Sequence, residues 1–171
     1  MDFFDIVDSR SSVREFLTKS VEREKLQKIL EAANRSPSAG NLQAYEIFVE
    51  TDPLKRELLS KAALDQEFIA SAPVALVFCS HPERNAGRYG GRGVQMYALQ
   101  DATIACTFAM LAATDLGLGS VWVGAFDDEA VRKVIGVSEA INPISILPIG
   151  YAKEIPVKRS RRELNELVHW N

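Results

Sequence analysis

The sequence predicts a single α/β domain over all 171 residues, and three observations carry that expectation. Stretches with helical period alternate along the chain with short apolar runs of strand length. No internal repeat, low-complexity tract or long linker divides it. Apolar residues at 47% and charged residues at 25% are those of an ordinary globular chain. A chain of this size buries roughly 70% of its unfolded surface around one core.

Residues 2–9 read as a short helix. Leu26, Ile29, Leu30 and Ala33 then make the i, i+3, i+4, i+7 stripe of an amphipathic helix, with Glu22 and Glu24 near its positive end, before RSPSAGNLQ breaks it. The run YEIFVE (45–50) has strand-forming residues. Asp52 and Pro53 read as N-cap and first helical position of a helix through about Ala63, and a further helical turn precedes Pro73. Residues 74–79 are a short apolar strand. Residues 81–92, HPERNAGRYGGR, are predicted as a polar, glycine-rich loop and a mobile lid.

The longest helix runs over 94–116, apolar around most of its circumference, as suits the centre of a domain or a subunit interface, and Gly117 ends it. Residues 120–123 form a third strand. Asp127 caps a short helix that stops near Gly136, and 144–151 form a fourth strand. The last twenty residues make an arm with a basic start (Lys158, Arg159, Arg161, Arg162) and an apolar end (Leu164, Leu167, Val168, Trp170). An end so apolar is expected to pack on something, and a partner subunit is a suitable surface.

Composition narrows the function classes. A net charge of −3 with both signs dispersed gives no global basic field for nucleic acid. The longest uncharged stretch, 102–114, is shorter than the roughly 18 to 20 residues a membrane span requires, so no membrane partner is expected. MDFFDIVDSR lacks the basic and apolar regions of a secretory signal, which predicts a cytoplasmic protein. Cys79 and Cys106 sit in apolar contexts without CxxC spacing and are expected as core cysteines. With only His81 and His169 besides, no metal site is expected.

Four segments collect polar residues that a bare fold does not require. Ser9-Arg10-Ser11-Ser12-Val13-Arg14 offers two arginines and three hydroxyls to a phosphate or an oxygen-rich ring, though alone it also reads as a solvated turn. Pro37-Ser38-Ala39-Gly40-Asn41-Leu42-Gln43 is a small-residue loop that lets backbone approach a flat ligand, or an ordinary helix-to-strand connection. The stretch 117–126 fails the dinucleotide fingerprint, since Trp122 stands at the third glycine and the glycines lead into a strand. The fourth segment is the basic stretch 158–162.

In this order the four segments resemble the nitroreductase family of FMN-dependent oxidoreductases over almost the whole chain. Residues 10–16 look like the family's N-terminal RRSxRxF-type motif, 37–43 are similar to its PSxxNxQPW loop, and 117–126 resemble the stretch along the central flavin ring. Ser9, Ala44-Tyr45 and Ser160 depart from the arginine, proline-tryptophan and lysine common at those places. The chain is also short for the family, implying that a longer helical excursion over the site is missing.

The resemblance implies a central, mostly antiparallel sheet of four to five strands flanked by helices, in a homodimer with exchanged arms and FMN at the subunit interface. It assigns the phosphate to Arg10, Arg161 and Arg162, with Ser11 nearby. Arg14 with Ser12 falls beside the ring's N1 and C2 carbonyl, where negative charge gathers on reduction. Pro37, Ser38, Ala39 and Asn41 would reach the flavin from the other subunit, Gln66 the pyrimidine edge, and Val123, Gly124 and Ala125 the central ring. The Gly124-Ala125 peptide would supply an N–H to N5. Phe126, Tyr89 and 81–92 would shape the acceptor pocket.

No catalytic side chain is implied. NAD(P)H as donor and a nitroaromatic, quinone or similar small-molecule acceptor would react in ping-pong fashion. Relatives also perform reductive dehalogenation, azoline oxidation or flavin fragmentation, which cofactor motifs do not distinguish. A nucleic-acid or partner-binding module, suggested by GRYGGRG and the basic tail, is opposed by the brevity of those patches and the negative charge.

Overall fold

In the computed structural model, which describes residues 1–170, three helices begin on aspartate caps, of which the sequence places Asp52 and Asp127. Asp2 accepts from the Asp5 N–H ahead of α1 (Phe3–Ser9), and Asp52 from the Leu54 N–H ahead of α3 (Pro53–Ala62). Asp127 accepts from the Ala130 N–H ahead of α7 (Asp128–Ile135), which stops at Gly136. Each carboxylate satisfies an orphan N–H and faces the positive end of the helix dipole. The other helices are α2 (Arg23–Asn34), α4 (Phe68–Ser71), α5 (Glu83–Arg92) and α6 (Ala98–Asp115).

The strands β1 (Tyr45–Glu50), β2 (Val74–Ser80), β3 (Gly119–Ser120) and β4 (Asn142–Gly150) form one sheet in the order β1-β2-β4-β3, antiparallel throughout, as expected. β2 is buried along its whole length, which is why it reads as an unbroken apolar run. On one face Leu76, Phe78, Leu147 and Ile149 meet Ile29 of α2 and the alanines of α6. On the other, Ala75, Val77, Cys79 and Ile146 meet Leu59, Ile69 and Val131 of α3, α4 and α7. Each fully buried large side chain contributes about 1.5–3 kcal/mol.

Two expectations need correction. The strand expected at 120–123 pairs regularly with β4 only at Gly119 and Ser120, and resumes as a single bridge between Val123 and Ile146. By register Pro148 faces Val121, and a proline has no N–H to donate to it. The segment 81–92, expected as a loop, is helical over Glu83–Arg92, with a break at Gly90 (φ 53°) before a π-helical turn, Gly93–Tyr97, leads into α6. Its inward positions include Asn85, which is buried and polar, so the hydrophobic periodicity that marks a helix is absent from the sequence.

The run Glu83–Asp115 is, by length and mean hydropathy alone, sufficient to cross a bilayer. Its inner face packs on α2 and the sheet and includes buried Asp101, marking it as a core helix. Cys79 and Cys106 are free and buried, and burial pushes both thiols up to about 12.

The two ends of the chain meet beside β3 and β4. Val13 N–H donates to Ser120 O (3.0 Å), Leu17 N–H to Tyr151 O (2.8 Å), and Lys153 N–H to Glu15 O (2.9 Å). Residues 12–17 thus add isolated bridges to the sheet in place of a regular fifth strand. Gly119 permits this approach: a Cβ there would lie 2.7 Å from Val13 Cγ2.

Candidate functional site

That pairing sets the basic residues of both ends around one crevice of about 1100 Å³, on the scale of a cofactor pocket. Arg10, Ser11, Ser12 and Arg14 line it from the N-terminal side, and Pro156, Val157, Lys158, Arg159 and Arg161 from the arm. Phe4, Val7 and Asp8 of α1 complete the wall. Asp8 is the one carboxylate there and pairs with Lys158, an exposed contact of small energetic value. Arg14 lies with its guanidinium carbon 5.8 Å from the centroid of the Phe68 ring. Cations so crowded repel one another, and an anion among them relieves the repulsion while accepting charge-assisted hydrogen bonds. Arg162 instead donates to Glu166, from Nε to Oε2 (3.3 Å) and Nη2 to the carbonyl oxygen (3.0 Å).

A second crevice, of about 690 Å³, is lined by Pro37, Ser38 and Ala39 together with Tyr97, Leu99, Gln100, Asp101, Thr103 and Ile104. The loop turns through a 3-10 turn, Ala39–Asn41, with Gly40 at φ 57°. A Cβ on Gly40 would stand 2.5 Å from the Tyr89 hydroxyl and 2.8 Å from Arg88 Nη1, so glycine lets α5 lie against the loop. Tyr89 also packs edge-on to Tyr97, with ring centroids 5.1 Å apart. Asn41 is exposed, and its Oδ1 accepts from Gln43 Nε2.

A third group surrounds the end of the β3 ladder. Val123 is buried, while Gly124 and Ala125 are exposed, and neither N–H has an acceptor among the described residues. Gln66 Nε2 donates to Ala63 O (2.8 Å) and Ala125 O (3.1 Å), so Gln66 holds the carbonyl that follows the Ala125 N–H. Phe126 is half-buried against the α3, α4 and α7 side of the core. Phe126 and Tyr89 therefore belong to different parts of the single chain.

The structure thus gathers Arg10, Ser11, Ser12, Arg14 and Arg161 in one crevice, Pro37, Ser38 and Ala39 in another, and Gln66 with Ala125 in a third place. Sequence reasoning missed Asp101, a lone charge within an apolar helix, which is itself a signal of a buried polar partner. It also missed Arg84 and Arg88, hidden in a segment taken for a loop. The donor set of the first crevice suits FMN: arginine forks and hydroxyls for a phosphate, in a space of adequate volume.

The sequence model described as the Nitroreductase family matches residues 7–67 and 50–151. The chain is similar to a Thermus thermophilus protein named NADH dehydrogenase, 29% identical over 94% of this chain and 92% of that protein. It is likewise similar to a Bacillus subtilis FMN reductase [NAD(P)H], 29% identical over 96% of this chain and 71% of that one. Among solved structures, the NADPH:FMN oxidoreductase of Vibrio harveyi complexed with NAD+ superposes with a TM-score of 0.90 at 26% identity, covering 98% of this chain and 76% of the other.

Proposed function

The chain belongs to the nitroreductase family, and from that footing we propose that it is an FMN-dependent oxidoreductase that takes electrons from NAD(P)H and passes them to an electron-poor small molecule. The observation that carries this reading is the crevice in which Arg10 and Arg14 meet Lys158, Arg159 and Arg161 of the arm. FMN supplies the ability to accept a hydride at its ring and release it again. Arg10 and Arg161 hold the phosphate, with Ser11 beside them. Arg14, with Ser12, places positive charge where reduction leaves negative charge. The exposed Gly124 and Ala125 N–H groups offer main-chain donors to the ring, held in place by Gln66 on the Ala125 carbonyl.

Two copies complete the site in this reading. The loop 37–43 lies in a different crevice of its own chain from the cations, and the outer face of α6 leaves Leu99 and Phe108 exposed. A homodimer that buries this face can bring one copy's loop to the other's cations. Donor and acceptor then use the same open place in turn, giving ping-pong kinetics with nitroaromatics or quinones as acceptors and with Phe126 and Tyr89 near the opening. The cytoplasm, where NAD(P)H is at hand, is the assigned compartment.

The test begins with colour. Purified protein sediments as a dimer, binds FMN one per chain and is bleached anaerobically by NADH or NADPH, and initial rates give parallel double-reciprocal lines. Protein that stays colourless with added FMN refutes the reading.

A further inference from the structure

We propose that Asp101 is a positioning residue whose buried carboxylate, with Arg84 and Arg88 bonding the loop's carbonyls, holds the loop 37–43 in the shape that receives the cofactor. This inference rests on the FMN reading above and names what prepares its loop half. The loop is strained: beyond Gly40, the non-glycine residues Asn41 and Gln43 have positive φ, at 58° and 44°. Left-handed backbone at a non-glycine residue persists only where the surroundings over-determine it. Here both its N–H groups and its carbonyls are held.

On the N–H side stands Asp101, 2% exposed. Its Oδ1 accepts from the Ala39 N–H (2.8 Å), and its Oδ2 from the Ala44 N–H (3.3 Å) and from Asn85 Nδ2 (3.2 Å). One carboxylate therefore fixes both ends of the strained stretch to α6 and ties them to α5. No cation lies within ion-pair distance of it among the described residues, so N–H donors alone offset the cost of burying the charge. On the carbonyl side Arg84 Nε donates to Leu42 O (3.1 Å) and Arg88 Nη1 to Gly40 O (3.3 Å). Packing of α6 does not need a charge here: its other core-facing positions are mostly alanine.

The variant Asp101→Asn keeps shape and volume. Its carbonyl can still accept from Ala39, and its NH2 can donate to Asn85 Oδ1, a buried atom with no partner at present. What it removes is the acceptor for Ala44. The variant should therefore fold, with a thermal midpoint near that of the parent and only the loop loosened.

The experiment compares parent, Asp101→Asn and Arg84→Ala/Arg88→Ala as FMN-free and FMN-bound full chains. Expected for Asp101→Asn are hydrogen exchange at the Ala44 amide faster by at least about 10-fold without cofactor, an FMN Kd raised about 10- to 100-fold, and an altered visible circular dichroism of bound flavin. The exposed arginine pair should raise Kd by roughly 3- to 10-fold, and it carries the test if Asp101→Asn fails to fold. Parent protein that binds FMN, with variants of unchanged Kd, exchange and dichroism, overturns the role of Asp101 alone. Parent protein that binds no FMN overturns the cofactor reading and this inference with it.

Discussion

Gly119→Ala tests whether the seat of the N-terminal segment governs the candidate site. The added Cβ would lie 2.7, 2.8 and 2.9 Å from Val13 Cγ2, Cβ and Cγ1, against a comfortable carbon–carbon separation of roughly 3.5–4.0 Å. Val13 cannot easily yield, because it is buried and its N–H is bonded to Ser120 O at 3.0 Å. Overpacking of this kind costs about 1–3 kcal/mol. The entropy that an alanine removes from the unfolded chain returns only about 0.4–1 kcal/mol, so destabilisation wins. In a domain of this size each kcal/mol moves Tm by roughly 2–4 °C. Ser12 and Arg14, which line the crevice, flank Val13, so the displacement also reaches it, and FMN affinity should fall about 10-fold.

Thermal denaturation and FMN fluorescence titration read the two effects. Val13→Ala removes two of the three clashing atoms, so the double variant should be less destabilised than the sum of the singles by about 1 kcal/mol or more. Gly87→Ala is the control: nothing stands within 4 Å of its added Cβ, and it should be neutral or stabilising by about 0.5–1 kcal/mol. A Gly119→Ala protein that melts with the parent and binds FMN equally well would refute the reasoning.

Arg161→Ala should weaken FMN binding by about 1.5–3 kcal/mol, while Arg162→Ala, whose side chain is turned to Glu166, should change it little. Equal losses in a titration at fixed ionic strength would contradict this arrangement of the arm. Arg14→Ala should weaken FMN binding and slow flavin reduction by NAD(P)H, and unchanged stopped-flow rates would remove it from the ring. Cys79 and Cys106, held protonated by burial up to about 12 against an ordinary 9, should resist thiol reagents in the native state. Because their folded pKa is raised, their contribution is complete below pH 9 and is lost between pH 9 and 12, at about 1.4 kcal/mol per pH unit and thiol. Chemical denaturation across that window checks it, and Cys106→Ala should flatten the decline.

The sequence carried most of the fold because its signals are local. Asp52-Pro53 and Asp127 are caps, 74–79 is an apolar run bounded by turn residues, and the α2 stripe has a helical period. The failures are tertiary. α5 has the polar Asn85 as its buried residue rather than a stripe of hydrophobes, so no periodicity betrays it. β3 is cut short by Pro148, a residue on another strand. Of the site, the arginines at the two ends were legible as donors, but their meeting depends on main-chain pairing of residues 12–17 with β3 and the end of β4. Asp101 was missed, because its partners Ala39 and Ala44 lie about sixty positions away.

The two halves of the proposed site are built on opposite principles, and a ligand such as FMN calls for both. The loop half is over-determined: left-handed backbone is pinned through its N–H groups by a buried carboxylate and through its carbonyls by two guanidinium groups, so its shape exists before any ligand arrives. A flat ring rewards that rigidity, because ordering a loop at the moment of binding would subtract from affinity. The cationic half is under-determined. Its arm leaves Val157 92% and Trp170 94% exposed, and one carboxylate, Asp8, lines the crevice beside its five cations. A phosphate tolerates such compliance, since charge attraction falls off slowly with distance and long arginine side chains can follow it. If the proposed homodimer covers this exposed arm, cofactor and second subunit act on the same segment, and FMN affinity should rise with the dimerised fraction in titrations at increasing protein concentration.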